Sequence, residues 1–383
     1  MKSPRTNAKW LLLSLAVVAV AAALALWFAR RQTGTRTEAQ VFTPSAPGQS
    51  ALQTTPPPMA HVSALQAACD LLRSASNAAI SRQQLAALRQ SLAAMSANEA
   101  VAAIKQILDS KADTPTHLGF KLAANGLLDE APTLRTFLLD ELARLDPAAA
   151  AEYSRVILAS MDSPDEWAVA LRNLAMGDSS DAGRQLLAEK TAQLLQYAPW
   201  RQSPSVGYLE AFDVAVYLGG TSLLPTLSNL VSLTNNPAVA HASYLALDRL
   251  VINNPAAELA ALESDPSLMQ GRELTRANYF ARADVRDPQQ RQVLESYLLN
   301  PQIGAAEMNT FAGIYPNANF MISPNLLTPT PTPDHAALVS RDAESLAVAQ
   351  QWLGDPRFAS LQPVSAQIIQ RLQGFLNQTA AGQ

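Results

Sequence analysis

Beyond residue 60 this chain reads as all α-helix, set behind a membrane-spanning helix and a proline-rich tether. Three observations predict it. Residues 10–29 are apolar at every position except Ser14. After residue 60, leucine, isoleucine and alanine return at spacings of three and four rather than in alternation. A side chain that can cap a helix also stands repeatedly just before a proline.

The amino end is read as a nine-residue tail (1–9) and a transmembrane helix (10–29). As a helix the apolar run covers about 30 Å, the thickness of a bilayer's hydrocarbon core. Trp10 stands at one end and Trp27 with Phe28 at the other, where amphipathic rings favour the headgroup level. Lys9 and the pair Arg30 and Arg31 bracket the span. Membrane lipid is thus the first expected partner. A cleaved signal peptide is the competing reading, but its small-x-small positions, Ala21, Ala23 and Ala25, fall inside the apolar run. Three bases flank each side (Lys2, Arg5, Lys9; Arg30, Arg31, Arg36), so the positive-inside count is tied. The short tail favours a cytoplasmic amino terminus, with the body outside the cytoplasm and anchored in the inner membrane.

Residues 30–60 are expected to be a flexible linker. Threonine, proline, serine and glutamine dominate, and Val41, Phe42 and Leu52 offer little to bury. Around Pro56, Pro57 and Pro58 the chain suits polyproline II.

The helical body is expected over 61–312. Leu65, Ala68, Cys69 and Leu72 make one stripe, Leu85, Leu88 and Leu92 a second, and Val101, Ile104, Ile107 and Leu108 a third. Leu134, Phe137, Leu138, Glu141, Leu142 and Leu145 give the clearest. Alternating β-branched runs are nearly absent, so no strand is expected. Helix starts are predicted at Pro147, Pro164, Pro237, Pro255, Pro266, Pro288, Pro301 and Pro356, each behind Asp, Asn or Ser. Ser163 and Glu166 fit a capping box. His117, after Thr114 and Pro115, is placed at another helix start.

Asp146 and Ser163 are 17 residues apart, Asn236 and Asn254 are 18 apart, and the string Asn-Asn-Pro-Ala occurs at 235–238 and 253–256. Two helices at that spacing make a hairpin of roughly 35–40 residues, the length of HEAT and TPR units. The chain resembles membrane-anchored bacterial α-solenoid proteins of the HEAT-like or TPR-like type, over about residues 62–312 and on through 335–376. That resemblance implies stacked hairpins and a protein-binding role. The TPR pattern of Trp, Leu-Gly, Tyr, Ala, Phe and Pro is missing and other start spacings run from 11 to 22. An irregular bundle of hairpins is the alternative.

Residues 313–334 carry no helical period and several prolines. Tyr315, Phe320, Met321, Ile322, Leu326 and Leu327 are too apolar for a free excursion, so a strap packed back along the helices is expected. The alternative is a partner-contacting segment through Tyr315 and Phe320. Residues 335–376 are read as carboxyl-terminal helices.

Charge and motif content narrow the function. Residues 1–59 hold six bases and one acid; residues 60–383 hold 22 bases and 31 acids. A body that acidic repels a phosphate backbone, so nucleic acid is not an expected partner. Arginine outnumbers lysine 22 to six in an alanine-rich chain, which suggests a GC-rich bacterial genome. One cysteine and four histidines (61, 117, 241 and 335) leave no thiolate cluster and few imidazoles, and no cofactor is expected. Neither G-x-S-x-G nor H-E-x-x-H nor a phosphate loop occurs. Cys69, on an apolar stripe, is read as a small buried hydrophobe.

Residues 295–313 resemble the motif of soluble lytic transglycosylases, helical envelope enzymes in which a glutamate before serine protonates a glycosidic oxygen. Glu295 and Ser296, Asn300 and Pro301, and Gly304 and Ala305 carry the likeness, which implies Glu295 as general acid. The Gly-Leu-Met-Gln element is missing, and the interval from Glu295 to Gly304 is short for that family. Trp200 and Arg201, lying between prolines, are candidate partner contacts, because Trp and Arg are enriched at binding hot spots. The sequence thus favours a non-catalytic scaffold at the bacterial envelope, with an envelope hydrolase using Glu295 as the alternative.

Overall fold

The computed structural model describes residues 58–381, apart from 266, 330, 331 and 333. The expected span and tether, with Trp10, Trp27, Phe28, Arg30 and Arg31, lie outside the described residues. Some 70% of the described chain is helical, and neighbouring helices pack as hairpins. No helix among the described residues is long and apolar enough to cross a membrane.

Helices α1 (Pro58–Arg73) and α2 (Ala78–Ala93) form the first hairpin. Their expected stripes are its seam: Leu65, Leu72 and Leu88 are fully buried. Asn77 caps α2 by accepting the amides of Ala79 and Ile80, both at 3.0 Å. Helix α3 (Ala97–Asp109) starts in a capping box between Ser96 and Glu99. At Ser163, where a box was expected, only half of it forms. The Glu166 amide donates to Ser163 Oγ at 3.3 Å, but the Glu166 carboxylate turns to Arg135. A guanidinium binding both oxygens outcompetes one exposed amide.

Residues 113–133 correct the all-helix expectation. They contain an antiparallel hairpin, β1 (Lys121–Leu122) and β2 (Leu128–Glu130), with Lys121 opposite Glu130. His117 starts no helix; its φ is +57°, and Nε2 lies 3.1 Å from the carbonyl of Ala75. Lys-Leu and Leu-Asp-Glu have no notable strand preference. The hairpin is held by groups from later helices, described below.

Helices α4 (Leu134–Leu145), α5 (Pro147–Ile157), α6 (Pro164–Gly177) and α7 (Asp181–Gln196) follow. Helix α6 packs on α4, α5 and α7, and it is buried at every position from Glu166 to Ala175. A helix covered all round must have neighbours on all sides. At its end Gly177 lies against α5 so closely that a Cβ would stand 1.9 Å from the carbonyl oxygen of Pro147.

Short helices α8 (Ala198–Gln202), α9 (Val206–Glu210) and α10 (Asp213–Leu218) lead to a 3₁₀ turn at Thr221–Leu223 and α11 (Leu224–Val231). Then come α12 (Pro237–Asn253), α13 (Pro255–Ser264), α14 (Glu273–Phe280), α15 (Pro288–Leu299) and α16 (Ala305–Ile314). Prolines 147, 164, 237, 255 and 288 open helices as expected, and Pro356 opens a 3₁₀ turn. Of the other two expected starts, Pro266 lies outside the described residues and Pro301 opens no helix. Asp265 ends α13 and enters a turn through Met269 and Gly271, both at positive φ. Asn300 ends α15, and the next helix waits for Gly304 as its cap. Left-handed residues in the first case, and a turn closed by the Ile303 amide on Asn300 in the second, stop the helix from continuing.

The carboxyl end is a hairpin of α17 (His335–Gly354) and α18 (Gln362–Ala381), separated by the 3₁₀ turn Pro356–Leu361. A row of rings ties it to the preceding helices. Phe280 stacks on Tyr297 at 3.9 Å, followed by Phe311, Tyr315, Trp352 and Phe358. One contiguous apolar core runs from Leu65 to Leu372.

Candidate functional site

Three carboxylate–guanidinium pairs form a series, two of them joining different helices and the third joining α12 to the turn after α14. Arg172 donates to Asp140 at 2.6 Å, with both side chains wholly buried. Arg249 donates to Asp213 at 2.9 Å, and Arg282 binds Asp248 through two nitrogens. The partners are 32, 36 and 34 residues apart. Adjacent residues of α12 serve two pairs: Asp248 reaches forward to Arg282, and Arg249 reaches back to Asp213. Burial lowers the Arg172 guanidinium against the pull of Asp140, and raises the Asp248 carboxyl against that of Arg282. Removing one member of such a pair costs about 3–5 kcal/mol, because a bare charge is left behind.

Each pair also grips main chain from elsewhere. Arg172 donates to the carbonyl of Gly126 at 2.9 Å, and Asp140 accepts the amide of Leu128 at 2.9 Å, which fixes the β1–β2 turn. Asp213 accepts the amides of Leu327 and Thr328 at 2.7 and 2.9 Å, and also the Thr328 hydroxyl. Arg282 donates to the carbonyl of Asn319 at 2.6 Å. Arg341, on α17, donates to the carbonyls of Arg282 and Asn317. Residues 317–328 are therefore a strap running back over α14 and α12 to α10. Its far end meets the hairpin: Gly126, at φ +76°, lies so close that a Cβ there would stand 2.3 Å from the Leu326 carbonyl oxygen.

Beside the strap lies a groove of about 310 Å³ between α9, α10 and α12. Leu209, Phe212, Ala242, Leu245 and Met321 give it apolar walls, while Glu210, Asp213, His241 and Arg249 are its polar groups. Burial raises the Glu210 carboxyl, with Arg249 opposing. A larger cleft of about 350 Å³ lies over α3 to α6. Several of its polar groups are engaged with one another: Arg135 binds Glu166 through two bonds of 2.9 Å, and Tyr153 donates to Asp109 at 2.8 Å. The groove beside the strap is the better candidate, because apolar walls there flank a half-buried carboxylate, Glu210, and the strap's main chain is held next to it.

The residues singled out from sequence fall in separate places. Trp200 is buried, edge-on to Trp167 at 5.5 Å and to Tyr197 at 5.0 Å. Arg201 is half-buried at a small cleft with Gln202, Asn235 and Asn236, and its Nε has no partner. Tyr315 is wholly buried in the aromatic row, whereas Phe320 is half-buried on the strap. Glu295 lies on α15, outside both clefts, and accepts from Arg291 at 3.0 Å and from Trp352 Nε1 at 3.2 Å. Its neighbour Ser296 donates instead to Glu263 at 2.8 Å. Cys69 is buried, and burial pushes its thiol up to about 11. Among the described residues no three His, Cys, Asp or Glu side chains are grouped to hold a metal ion.

Sequence reasoning missed Asp213, Asp248, Arg249 and Arg282. The adjacent acid and base at 248 and 249, with partners about 35 residues to either side, were the signal available. No protein-family model, curated protein or solved structure matches this chain.

Proposed function

We propose that this protein is a membrane-anchored, non-catalytic scaffold whose stacked, HEAT-like helical hairpins bind a protein partner at the bacterial envelope. The observation that carries the reading is the series Asp140–Arg172, Asp213–Arg249 and Asp248–Arg282, in which buried or half-buried pairs at a near-constant interval hold extended main chain. A recurring interval of 32–36 residues supports a repeated unit. Groups that already hold the amides of Leu327 and Thr328 and the carbonyl of Asn319 have the chemistry to hold peptide main chain in general. The strap also leaves Met321 and Ile322 exposed next to the groove, Ile322 at 73%. Apolar side chains shown to solvent beside a groove suit a contact surface. The apolar run 10–29 with its basic flanks supports a single-pass membrane anchor.

The test is site-specific photo-crosslinking of the full chain in its native membrane. A crosslinking residue replaces Ile322, and in a separate strain Glu189, an exposed position on α7. A scaffold gives one discrete protein adduct from position 322 that position 189 does not give. A membrane-bound, folded protein that forms no adduct from 322 or 321 overturns the reading.

A further inference from the structure

The groove between α9, α10 and α12 carries an unbalanced charge. Asp213 and Arg249 neutralise one another at 2.9 Å. Glu210 is left: it lines the same groove and makes no hydrogen bond or ion pair within 4 Å among the described residues. Glu210 is half-buried, and burial raises its carboxyl while Arg249 pulls it the other way. Apart from His241 and Ser323 the rest of the lining is apolar, with Leu209, Ala242, Leu245 and Met321 beside that carboxylate.

We infer that the groove takes a basic side chain, lysine or arginine, from an extended partner segment laid beside the strap. The inference rests on the scaffold reading and names the chemistry of its partner. A basic residue fits both halves of the groove: its methylene stem lies along apolar walls while its charged head reaches the carboxylate. A purely apolar side chain would fill the volume and leave Glu210 desolvated and unpaired, which costs free energy. An acidic one would meet two carboxylates against one guanidinium. Charge agrees on the larger scale, since residues 60–383 hold 31 acids against 22 bases and so attract a basic partner. The strap adds a geometric reason. Met321 and Ser323 line the groove while main chain a few residues on is held by Asp213, so a second extended segment beside them would direct alternate side chains inward.

The experiment measures fluorescence anisotropy with the full chain in phosphatidylcholine nanodiscs, which carry no net charge. The probes are two labelled, end-blocked pentapeptides, Ala-Leu-Lys-Leu-Ala and its analogue with norleucine for lysine. The lysine peptide is expected to bind at least about tenfold tighter, the worth of one charge-assisted hydrogen bond. Glu210→Gln should erase that preference, and Ala242→Leu, which fills the groove, should weaken both peptides. Equal affinity for the two peptides, no binding by either, or a preference that survives Glu210→Gln overturns the inference. The parent comparison needs no variant, so a misfolded Glu210→Gln leaves the result decisive. Equal binding of both peptides would leave the scaffold reading standing with an apolar occupant. Loss of the Ile322 crosslink would remove that reading itself.

Discussion

The Asp213 carboxylate accepts the main-chain amide of Leu327 at 2.7 Å, across 114 residues of sequence. One buried carboxylate thus neutralises Arg249 on the neighbouring helix and fixes the returning strap. Asp213→Ala should destabilise the protein by about 2–4 kcal/mol, by leaving the half-buried Arg249 without its partner and the strap amides without their acceptor. It should also free the strap before the helices unfold. Hydrogen exchange at Leu327 and Thr328 should rise by orders of magnitude at temperatures where the amides of α6 are unchanged. Equal protection in parent and variant would contradict the role given to Asp213.

Gly126 is tested from the other side. Its positive φ and the approach of the Leu326 carbonyl leave no room for a methyl group. Gly126→Ala should cost about 1–3 kcal/mol and loosen both the β1–β2 turn and the strap. Gly219→Ala shares the positive φ but has open space where the Cβ would go, so it should cost less. Denaturant unfolding of the two variants compares strain alone with strain plus collision.

Glu258 on α13 is buried, and neither carboxylate oxygen has a hydrogen-bond partner. Burial alone raises its carboxyl above the value it has when unfolded. Between those two values the native state holds more protons than the unfolded state, so stability falls as pH rises through that interval. The penalty is complete above the folded value and absent well below about 4, where both states are protonated. Glu258→Gln should therefore raise the melting temperature at pH 7 and lose that advantage at pH 3–4. A gain of about 1–3 kcal/mol is the scale for relieving one such group. A variant no more stable than the parent at pH 7 would show that the carboxylate has found a partner.

The hydrolase alternative has a direct test at Glu295. Two donors, Arg291 and Trp352, already occupy this carboxylate, and Arg357 lies 3.9 Å away. The full chain should release no soluble fragments from purified peptidoglycan, and Glu295→Gln should behave identically. Cleavage by the parent that is lost in the variant would replace the scaffold reading with an enzyme.

Membrane orientation is tested by fusion after Gln383. A reporter active only outside the cytoplasm should give signal, and one fluorescent only inside should not. The opposite result would make the body a cytoplasmic docking platform.

Much of the helical frame was legible because its causes are local. Leu134, Phe137, Leu138 and Leu142 sit on one face by the geometry of 3.6 residues per turn, and all four are buried. Asp146, Ser163, Asn236 and Asp287 cap the helices they precede, since a capping oxygen and its amide are only two or three residues apart. Where the next few residues adopt a turn of their own, as after Asp265 and Asn300, the same dipeptide ends a helix instead. The candidate site was hardly legible. Trp200 and Tyr315 have the composition of contact residues, yet both are buried among other rings. Burial is a property of what packs on a residue, and the residue does not announce it.

The sequence by itself determined that the described chain is mainly helical, where the helices at Pro147, Pro164, Pro237, Pro255 and Pro288 begin, and which stripe of several is apolar, because these follow from interactions spanning four residues or fewer. Only the tertiary structure decided that Asp140 meets Arg172, that Asp213 meets Arg249, and that Leu327 returns to that same carboxylate. In sequence, those charges are indistinguishable from ones on a solvated helix face. A buried charge requires an opposite partner at about 3 Å, and the packing of the helices alone selects which residue, some 35 or 114 positions away, stands there.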